Sequence, residues 1–339
     1  MCTALCLTVD NAFYFGRNLD LDIDYHPQLV VTPRGTEFSF QDGSTRTLPT
    51  ALVGMAIVEH DQPLYFEASN EHGLSMAGLN FPGNAVFHPK AEDLTNIAPY
   101  EFIPWVLTRC RSVAEFTAQS KHLNLIDKQF SDQLPNAPLH WIIADRKQAV
   151  VVESTADGLH LYDNPFGVLT NNPPFPFHRD NLALYQQLTT AWPTNTLSPN
   201  VALPPPGVGV GSFGLPGDTT GPSRFIKAAF LKAASESAPI VTKDSAIQQF
   251  FSILNQVAMV PGATQTATGQ YEYTLYSTCF DAATSTLYYT TATGSQICAL
   301  RLADLPLDGA NLLCFPQQRT PRFAMHTMLD ASLQKTVKQ

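Results

Sequence analysis

Residues 1–20 read MCTALCLTVDNAFYFGRNLD. Two short runs rich in β-branched, aliphatic and aromatic residues, TALCLTV and AFYFGRN, flank Asp10-Asn11, the pattern of two strands joined by a turn. If the strands form a hairpin, Arg17 and Asp20 at the end of the second come to lie beside the start of the first, where Cys2 follows the initiator methionine. Cys2 is then either a small hydrophobe in a buried strand or, once Met1 is removed, the first residue of the mature chain. Methionine aminopeptidases remove Met1 when the second residue is small, and cysteine qualifies. The exposed α-amine, with a reference pKa of about 7.7–8.0, is partly free base near neutral pH. A thiol, reference pKa ~8.5, becomes a thiolate beside cationic groups. One residue would thus supply nucleophile and base together. Such a site needs an anion to hold the amine, a cation to favour the thiolate, and fixed N–H donors for the oxyanion of a tetrahedral intermediate.

Working outward, the first 90 residues continue as short strands: QLVVTPR, ALVGMAIVE, PLYFEASN and LSMAGLNF, punctuated by Pro, Gly and the turn-like EHG. From Pro99 to about Ser120 the apolar residues Phe102, Trp105, Val106, Val113 and Phe116 fall at helical spacing, and Pro104 suits a first turn. The segment HWIIADRKQAVVVESTADGLHLYDN predicts a strand meander, and FGVLT a further strand ending at Asn171-Asn172-Pro173-Pro174. RDNLALYQQLTTAW predicts a helix. A long Pro/Gly-rich loop follows over 193–222, a length that is functional or disordered in compact proteins. SRFIKAAFLKAASES and DSAIQQFFSILNQVAMV predict two helices, and YEYTLYSTCFD, TLYYTTAT and QICALRLAD three strands. Antiparallel hairpins with two adjacent helices predict α+β layers rather than a doubly wound parallel sheet.

Composition narrows the function classes. The 339 residues carry 20 Lys+Arg against 29 Asp+Glu, a net charge of −9. An acidic chain without basic runs speaks against nucleic acid and anionic membranes as partners. Charged residues make up 14% of the chain, against a usual fraction of about 25%; either part of the surface is hidden in an oligomer or it is covered by Ser, Thr, Asn and Gln. There is no basic-then-apolar leader and no stretch approaching the ~20 apolar residues of a membrane helix, so a cytoplasmic protein is expected. The six cysteines are then free thiols rather than a disulfide framework. No C-x-x-C and no H-E-x-x-H is present, so no metal and no cofactor is expected. Gly209-Val210-Gly211-Ser212-Phe213-Gly214 matches G-x-G-x-x-G in form, but prolines rather than a strand precede it, which favours a turn-rich loop over a dinucleotide site.

Each candidate partner of Cys2 has an ordinary alternative. Arg17 and Asp20 would also serve as a solvated turn pair, worth little. Asn80 in Gly78-Leu79-Asn80-Phe81-Pro82-Gly83 and Asn171 before Asn172-Pro173 are typical turn residues. Arg224 opens a helix, where a cation opposes the helix dipole and so is not a helix-stabilising choice.

Taken together, Met1-Cys2-Thr3, Phe15-Gly16-Arg17-Asn18-Leu19-Asp20, Val31-Thr32-Pro33-Arg34, Asn70-Glu71-His72-Gly73-Leu74, Gly78–Gly83, Val168-Leu169-Thr170-Asn171-Asn172-Pro173, Leu215-Pro216-Gly217-Asp218 and Ser223-Arg224-Phe225 resemble the choloylglycine hydrolase family of conjugated bile acid hydrolases and penicillin V acylases. The matches run in order along nearly the whole chain. The resemblance implies an α+β N-terminal nucleophile hydrolase with a four-layer αββα sandwich and mostly antiparallel sheets. It also implies a homotetramer, and one domain over 2–325 after loss of Met1, followed by a tail over 326–339. It implies that Cys2 attacks the amide carbonyl with its own amine as base, that Arg17 favours the thiolate, that Asp20 holds the amine, that Asn80 and Asn171 form the oxyanion hole, and that Arg224 completes the charged network. Cys6, Cys110, Cys279, Cys298 and Cys314 are left structural.

The substrate is expected to be a glycine- or taurine-conjugated bile salt, with penicillin V, cleaved at its phenoxyacetyl amide, or a related N-acyl amide as the alternative. Asn80 in the GLNFPG stretch is similar to the bile-salt-cleaving members, whereas acylases preferring penicillin V often carry an aromatic there. A steroid needs a broad apolar wall, for which the candidates are Leu19, Leu21 and Ile23, Leu64 and Phe66, and the segment from Ile126 through Phe130 to Leu139, with Arg17 and Asn80 as polar contacts. Glu59-His60-Asp61-Gln62-Pro63 departs from the family, being polar where many bile salt hydrolases present an apolar loop residue. A reading from another class is a non-catalytic member in which Cys2 is merely a strand residue.

Overall fold

The opening hairpin forms. Strands Cys2–Val9 and Ala12–Leu21 pair antiparallel from Cys2 opposite Leu19 to Val9 opposite Ala12. Asp10 and Asn11 take φ of 48° and 63°, the left-handed pair of a two-residue hairpin turn whose twist matches the flanking strands. The computed structural model describes residues 1–323 and 325; the tail expected over 326–339 lies outside them.

The hairpin sits inside a six-stranded sheet. Its order is Val168–Leu169, Cys2–Val9, Ala12–Leu21, Tyr273–Asp281, Thr286–Thr291, Gly294–Arg301. Cys2–Val9 is therefore flanked by a strand from the middle of the chain and by its own hairpin partner, and the C-terminal strands add on beyond that partner. An eight-stranded sheet runs Gly158–Asp163, Ala149–Thr155, Leu139–Ala144, Ser75–Asn80, Gln62–Asn70, Leu52–Glu59, Gln28–Thr32, Leu313–Phe315. Every strand pairing in both sheets is antiparallel.

The sheets stack face to face over one core that includes Ala4, Phe15, Val53, Met55, Ala77, Ile142 and Phe280. Helices Gly221–Ser237 and Ala246–Asn255 cover the outer face of the first sheet, packing on Cys2–Val9 and Tyr273–Asp281. Helix Phe102–Arg109 covers the second through a separate core around Trp141, Phe116 and Leu74. This is the four-layer αββα arrangement, and it follows from strands that read as apolar on both faces.

Two helix predictions need correction. The helix expected from Pro99 to Ser120 is broken: a 3₁₀ turn Pro99–Glu101 leads into Phe102–Arg109, Cys110 is extended, and a second helix runs Val113–Ser120. Ser112 restarts it, accepting from the Glu115 N–H at 3.2 Å, while the Glu115 carboxylate takes the Arg111 N–H at 2.7 Å. That S-x-x-E signal outweighs the apolar periodicity running through it. The helix expected over RDNLALYQQLTTAW begins earlier and stops sooner, as Phe175–Leu182 followed by a 3₁₀ turn Ala183–Tyr185. Pro176 sits in its first turn, and beyond Tyr185 the residues find too little core to sustain a helix. The 193–222 segment is irregular apart from a 3₁₀ turn Val210–Ser212 and the helix start at Gly221. Gly209 and Gly214 both have φ of 91°, so the G-x-G-x-x-G match is a turn.

Candidate functional site

The register of the first hairpin places the site. Ala4 is opposite Arg17 and Cys2 opposite Leu19, so Cys2, Arg17 and Leu19 share one face of the sheet and Asp20 lies on the other. On the inner side, Cys2, Arg17 and Asn80 line one end of a cleft of about 450 Å³. Leu19, Leu21, Leu64, Phe66, Phe130 and Leu139 form its apolar walls. Ile23 is exposed and Ile126 is buried, and neither lines the cleft. The polar stretch 59–63 makes the hairpin turn between Leu52–Glu59 and Gln62–Asn70, and its His60 ring lies 6.0 Å from Phe130.

Asn171 is the hub behind Cys2. Its Oδ1 accepts from the Cys2 nitrogen and from Arg224 Nη2, each at 2.7 Å, and its Nδ2 donates to the Asn80 carbonyl at 2.7 Å. Arg224 is buried in the first turn of helix Gly221–Ser237. It donates through Nη1 to the Cys2 carbonyl and to Thr3 Oγ1 (2.6 Å), and through Nε to the Thr219 carbonyl at 2.9 Å. Thr220 caps this helix, accepting from the Ser223 N–H at 3.4 Å. The cap holds the turn that aims Arg224 inward. Burial pulls the Arg224 pKa down, against the opposing effects of Asp20 and Cys2.

Asp20 is fully buried, with Oδ1 accepting from Thr274 Oγ1 at 2.5 Å and Oδ2 without a hydrogen-bond partner among the described residues. Burial raises its pKa, while Arg224, the chain terminus, Thr274 and Arg17 oppose the rise. The Met1 ammonium donates to the Asp20 carbonyl at 2.8 Å and pairs with Glu272. Burial lowers its pKa from the ordinary value near 8, while Cys2 and Asp20 oppose the fall.

Arg17 is fully buried. Its Nη1 donates to the Gly78 carbonyl at 2.6 Å and the Phe66 carbonyl at 3.2 Å. Each sheet carries a β-bulge here. One sets Thr274 and Tyr276 opposite Asp20 and Leu19, leaving Leu275 over; the other sets Glu67 and Tyr65 opposite Met55 and Ala56, leaving Phe66 over. An extra residue leaves the ladder, which frees the Phe66 carbonyl for Arg17.

Several buried polar residues of this region were not singled out from the sequence. His140 Nε2 holds the Thr170 carbonyl at 2.9 Å and His178 Nε2 the Asn171 carbonyl at 2.8 Å, so two buried imidazoles pin the Asn171 segment. Glu153 Oε1 faces His140 Nδ1 at 3.1 Å and accepts from the Phe175 N–H at 2.9 Å. Burial lowers the His178 pKa to about 4. Glu67 lies behind Arg17. A usable signal existed: His140, Glu153 and Glu67 each interrupt an otherwise apolar strand, in LHWIIA, AVVVEST and PLYFEASN, and a charge on a buried strand needs a partner.

Cys6 is buried, and that burial pushes its thiol up to about 12. Cys110, Cys279 and Cys298 are buried or half-buried and Cys314 is exposed; among the described residues all six thiols are free. Cys2 differs from the other five in facing the cleft together with Arg17.

Two stacked antiparallel sheets between helix layers, with a thiol at the head of the first strand opening onto a cleft, define an N-terminal nucleophile hydrolase fold. Residues 2–315 match the family model of linear amide C–N hydrolases, choloylglycine hydrolase family, and the chain belongs to that family. It is 41% identical over 316 residues to a bile salt hydrolase/transferase of Lactiplantibacillus plantarum, covering 93% of this chain and 97% of that one. It is similar to the crystal structure of a conjugated bile acid hydrolase from Clostridium perfringens, with TM-score 0.90, 34% identity, and coverage of 96% of this chain and 100% of that one. The penicillin V acylase of Agrobacterium tumefaciens shares the fold at TM-score 0.73, with 19% identity and coverage of 92% and 90%.

Proposed function

We propose that this chain, matured by loss of Met1 to a domain running to residue 325, hydrolyses the amide bond of glycine- or taurine-conjugated bile salts. One observation carries the reading: the Cys2 thiol, the Arg17 cation and the Asn80 amide line the same cleft, whose other walls are mostly apolar, with Asp22, Gln133 and Asn136 among them. Its volume of about 450 Å³ lies within the range of small-molecule sites. The apolar walls take the steroid and the polar end takes the conjugated amide.

The Cys2 thiolate attacks the amide carbonyl carbon, forming a C–S bond and moving the C=O electron pair onto oxygen. The Asn80 amide and the second Nδ2 hydrogen of Asn171 receive that oxyanion. With Met1 gone, the Cys2 nitrogen keeps Asn171 Oδ1 as its acceptor, and its lone pair first takes the thiol proton. It then gives that proton to the departing glycine or taurine nitrogen as the C–N bond breaks. Water cleaves the resulting thioester and releases the bile acid. Asp20 and Arg224 hold the amine corner from the helix side. The relative named hydrolase/transferase supports a thioester that an acceptor other than water can also resolve.

We propose a homotetramer, supported by the low charge content and by the exposed Leu197, Val208 and Phe213 on the 193–222 segment. A cytoplasmic location is supported by the six free thiols; no helix of the described residues is long and apolar enough to cross a membrane. The deciding experiment compares kcat/KM for glycocholate, taurocholate, penicillin V and an N-acyl homoserine lactone. A bile salt should rank first; penicillin V preferred over every bile salt would replace this substrate with the alternative.

A further inference from the structure

Glu67 is a carboxylate set almost fully inside the inter-sheet core, on the side of Arg17 away from the cleft. Its Oε2 lies 3.8 Å from Arg17 Nη1. The opposite sheet holds it with two hydroxyls: Tyr276 donates to Oε2 at 2.8 Å and Thr278 to Oε1 at 3.3 Å. Within its own sheet Met55 and Ala77 stand opposite it in register. The groups facing it are thus Arg17 from strand Ala12–Leu21, and Tyr276 and Thr278 from strand Tyr273–Asp281. Arg17 keeps Nη2 without a hydrogen-bond partner among the described residues.

We propose that Glu67 is a positioning residue that competes with the Cys2 sulfur as counter-ion of Arg17, and so sets the pH range in which the thiolate forms. The inference rests on Cys2 being the nucleophile. Burying an ion is expensive unless it is paired, and Arg17 has two anions available, the Cys2 thiolate at the cleft and the Glu67 carboxylate behind. When Glu67 is protonated, the Arg17 charge serves the sulfur alone. When Glu67 ionises, that charge is shared and the thiolate loses part of its support. Burial pushes Glu67 up to about 7, against Arg17 and the two hydroxyls, so the exchange falls near neutral pH. Nothing covalent is involved; only a proton moves on or off the carboxyl group.

The test measures the pH dependence of Cys2 alkylation by iodoacetamide, localised by peptide mass, beside the pH profile of kcat/KM. In Glu67→Gln the alkylation midpoint and the acid limb of kcat/KM should both move down by about 0.5–1 pH unit. Glu67→Asp, which keeps the charge, should stay near wild type. Tyr276→Phe withdraws a donor from the carboxylate, favours its neutral form, and should move both readouts the same way as Gln; it answers the question if the Gln variant does not fold. A purely structural Glu67 would lower stability or active fraction without moving either midpoint. Superimposable midpoints for wild type and either Glu67→Gln or Tyr276→Phe overturn the proposal, as does an equal shift in Glu67→Asp and Glu67→Gln. The underlying reading fails separately: wild-type enzyme with Cys2 fully alkylated would still hydrolyse substrate.

Discussion

Replacing Arg224 by lysine separates the charge of this residue from its geometry. The guanidinium spans four acceptors: the Cys2 carbonyl, Thr3 Oγ1, Asn171 Oδ1 and the Thr219 carbonyl. An ammonium keeps the charge but cannot reach acceptors on both sides of a planar fork. At best it retains one of the two bonds, to the Cys2 carbonyl and to Asn171 Oδ1, that hold the nucleophile. Losing one hydrogen bond to a charged group removes about 1.5–3 kcal/mol. If that loss falls on the placement of Cys2, kcat drops roughly tenfold to a hundredfold, at 1.36 kcal/mol per decade. Arg224 does not line the cleft, so KM should change by less than about threefold and kcat and kcat/KM should fall together, the pattern of a change that leaves substrate binding intact and weakens the chemical step. Steady-state kinetics on the preferred amide measures both constants, with circular dichroism and urea unfolding confirming the fold. A folded Arg224→Lys variant with wild-type kcat, or one whose loss lies wholly in KM, would refute this role for the Asn171–Arg224 network.

Cys2→Ala should abolish turnover while leaving the unfolding midpoint near wild type, because it deletes a sulfur and little packing volume; wild-type-like turnover would end the nucleophile mechanism. The intact mass of purified protein should lack one methionine residue, and an active preparation retaining Met1 would contradict the proposed maturation. Gly16→Ala should destabilise strongly, by at least about 2 kcal/mol in urea unfolding, since a Cβ there would lie 1.9 Å from the Thr278 carbonyl oxygen in backbone that cannot give way. His178 is held neutral, its pKa lowered by burial from 6.5 to about 4. The unfolded chain therefore binds a proton first as pH falls, and stability should decline between about pH 6.5 and 4 by roughly 3 kcal/mol. His178→Gln, titrated by urea unfolding across that window, should flatten the slope.

Much of the fold was legible because short apolar runs between strong turn signals leave few alternatives. Asp10-Asn11 announces the first hairpin. YEYTLYSTCFD and TLYYTTAT read as strands with no tertiary information. The helices were less legible. One apolar stripe runs through Arg111 and Ser112, and only the bonds from the Glu115 N–H to Ser112 and from the Arg111 N–H to the Glu115 carboxylate end one helix and begin the next. Arg17 and Asp20 are local to the hairpin and could be nominated from it. Their ordinary alternative, a solvated pair, was removed by complete burial. Glu67, His140, Glu153 and His178 each look like one stray polar residue in the sequence; Glu67 meets its partners only across the sheets, and the other three take their roles only once the Asn171 segment packs against them.

What the sequence determined by itself is local: a cysteine behind a removable methionine, a hairpin that brings Arg17 and Asp20 near it, and strands apolar enough to stack as two sheets. Its ordered motifs also determined the family. The tertiary structure alone decided that Asn171, 169 residues away from Cys2, accepts from the Cys2 nitrogen. It also decided that Arg224 reaches the same carbonyl group from a helix and that Glu67 stands behind Arg17. These contacts are set by sheet order and by bulges at Phe66 and Leu275. Antiparallel pairing between segments hundreds of residues apart depends on the free energy of the whole core, which no local pattern of residue types encodes.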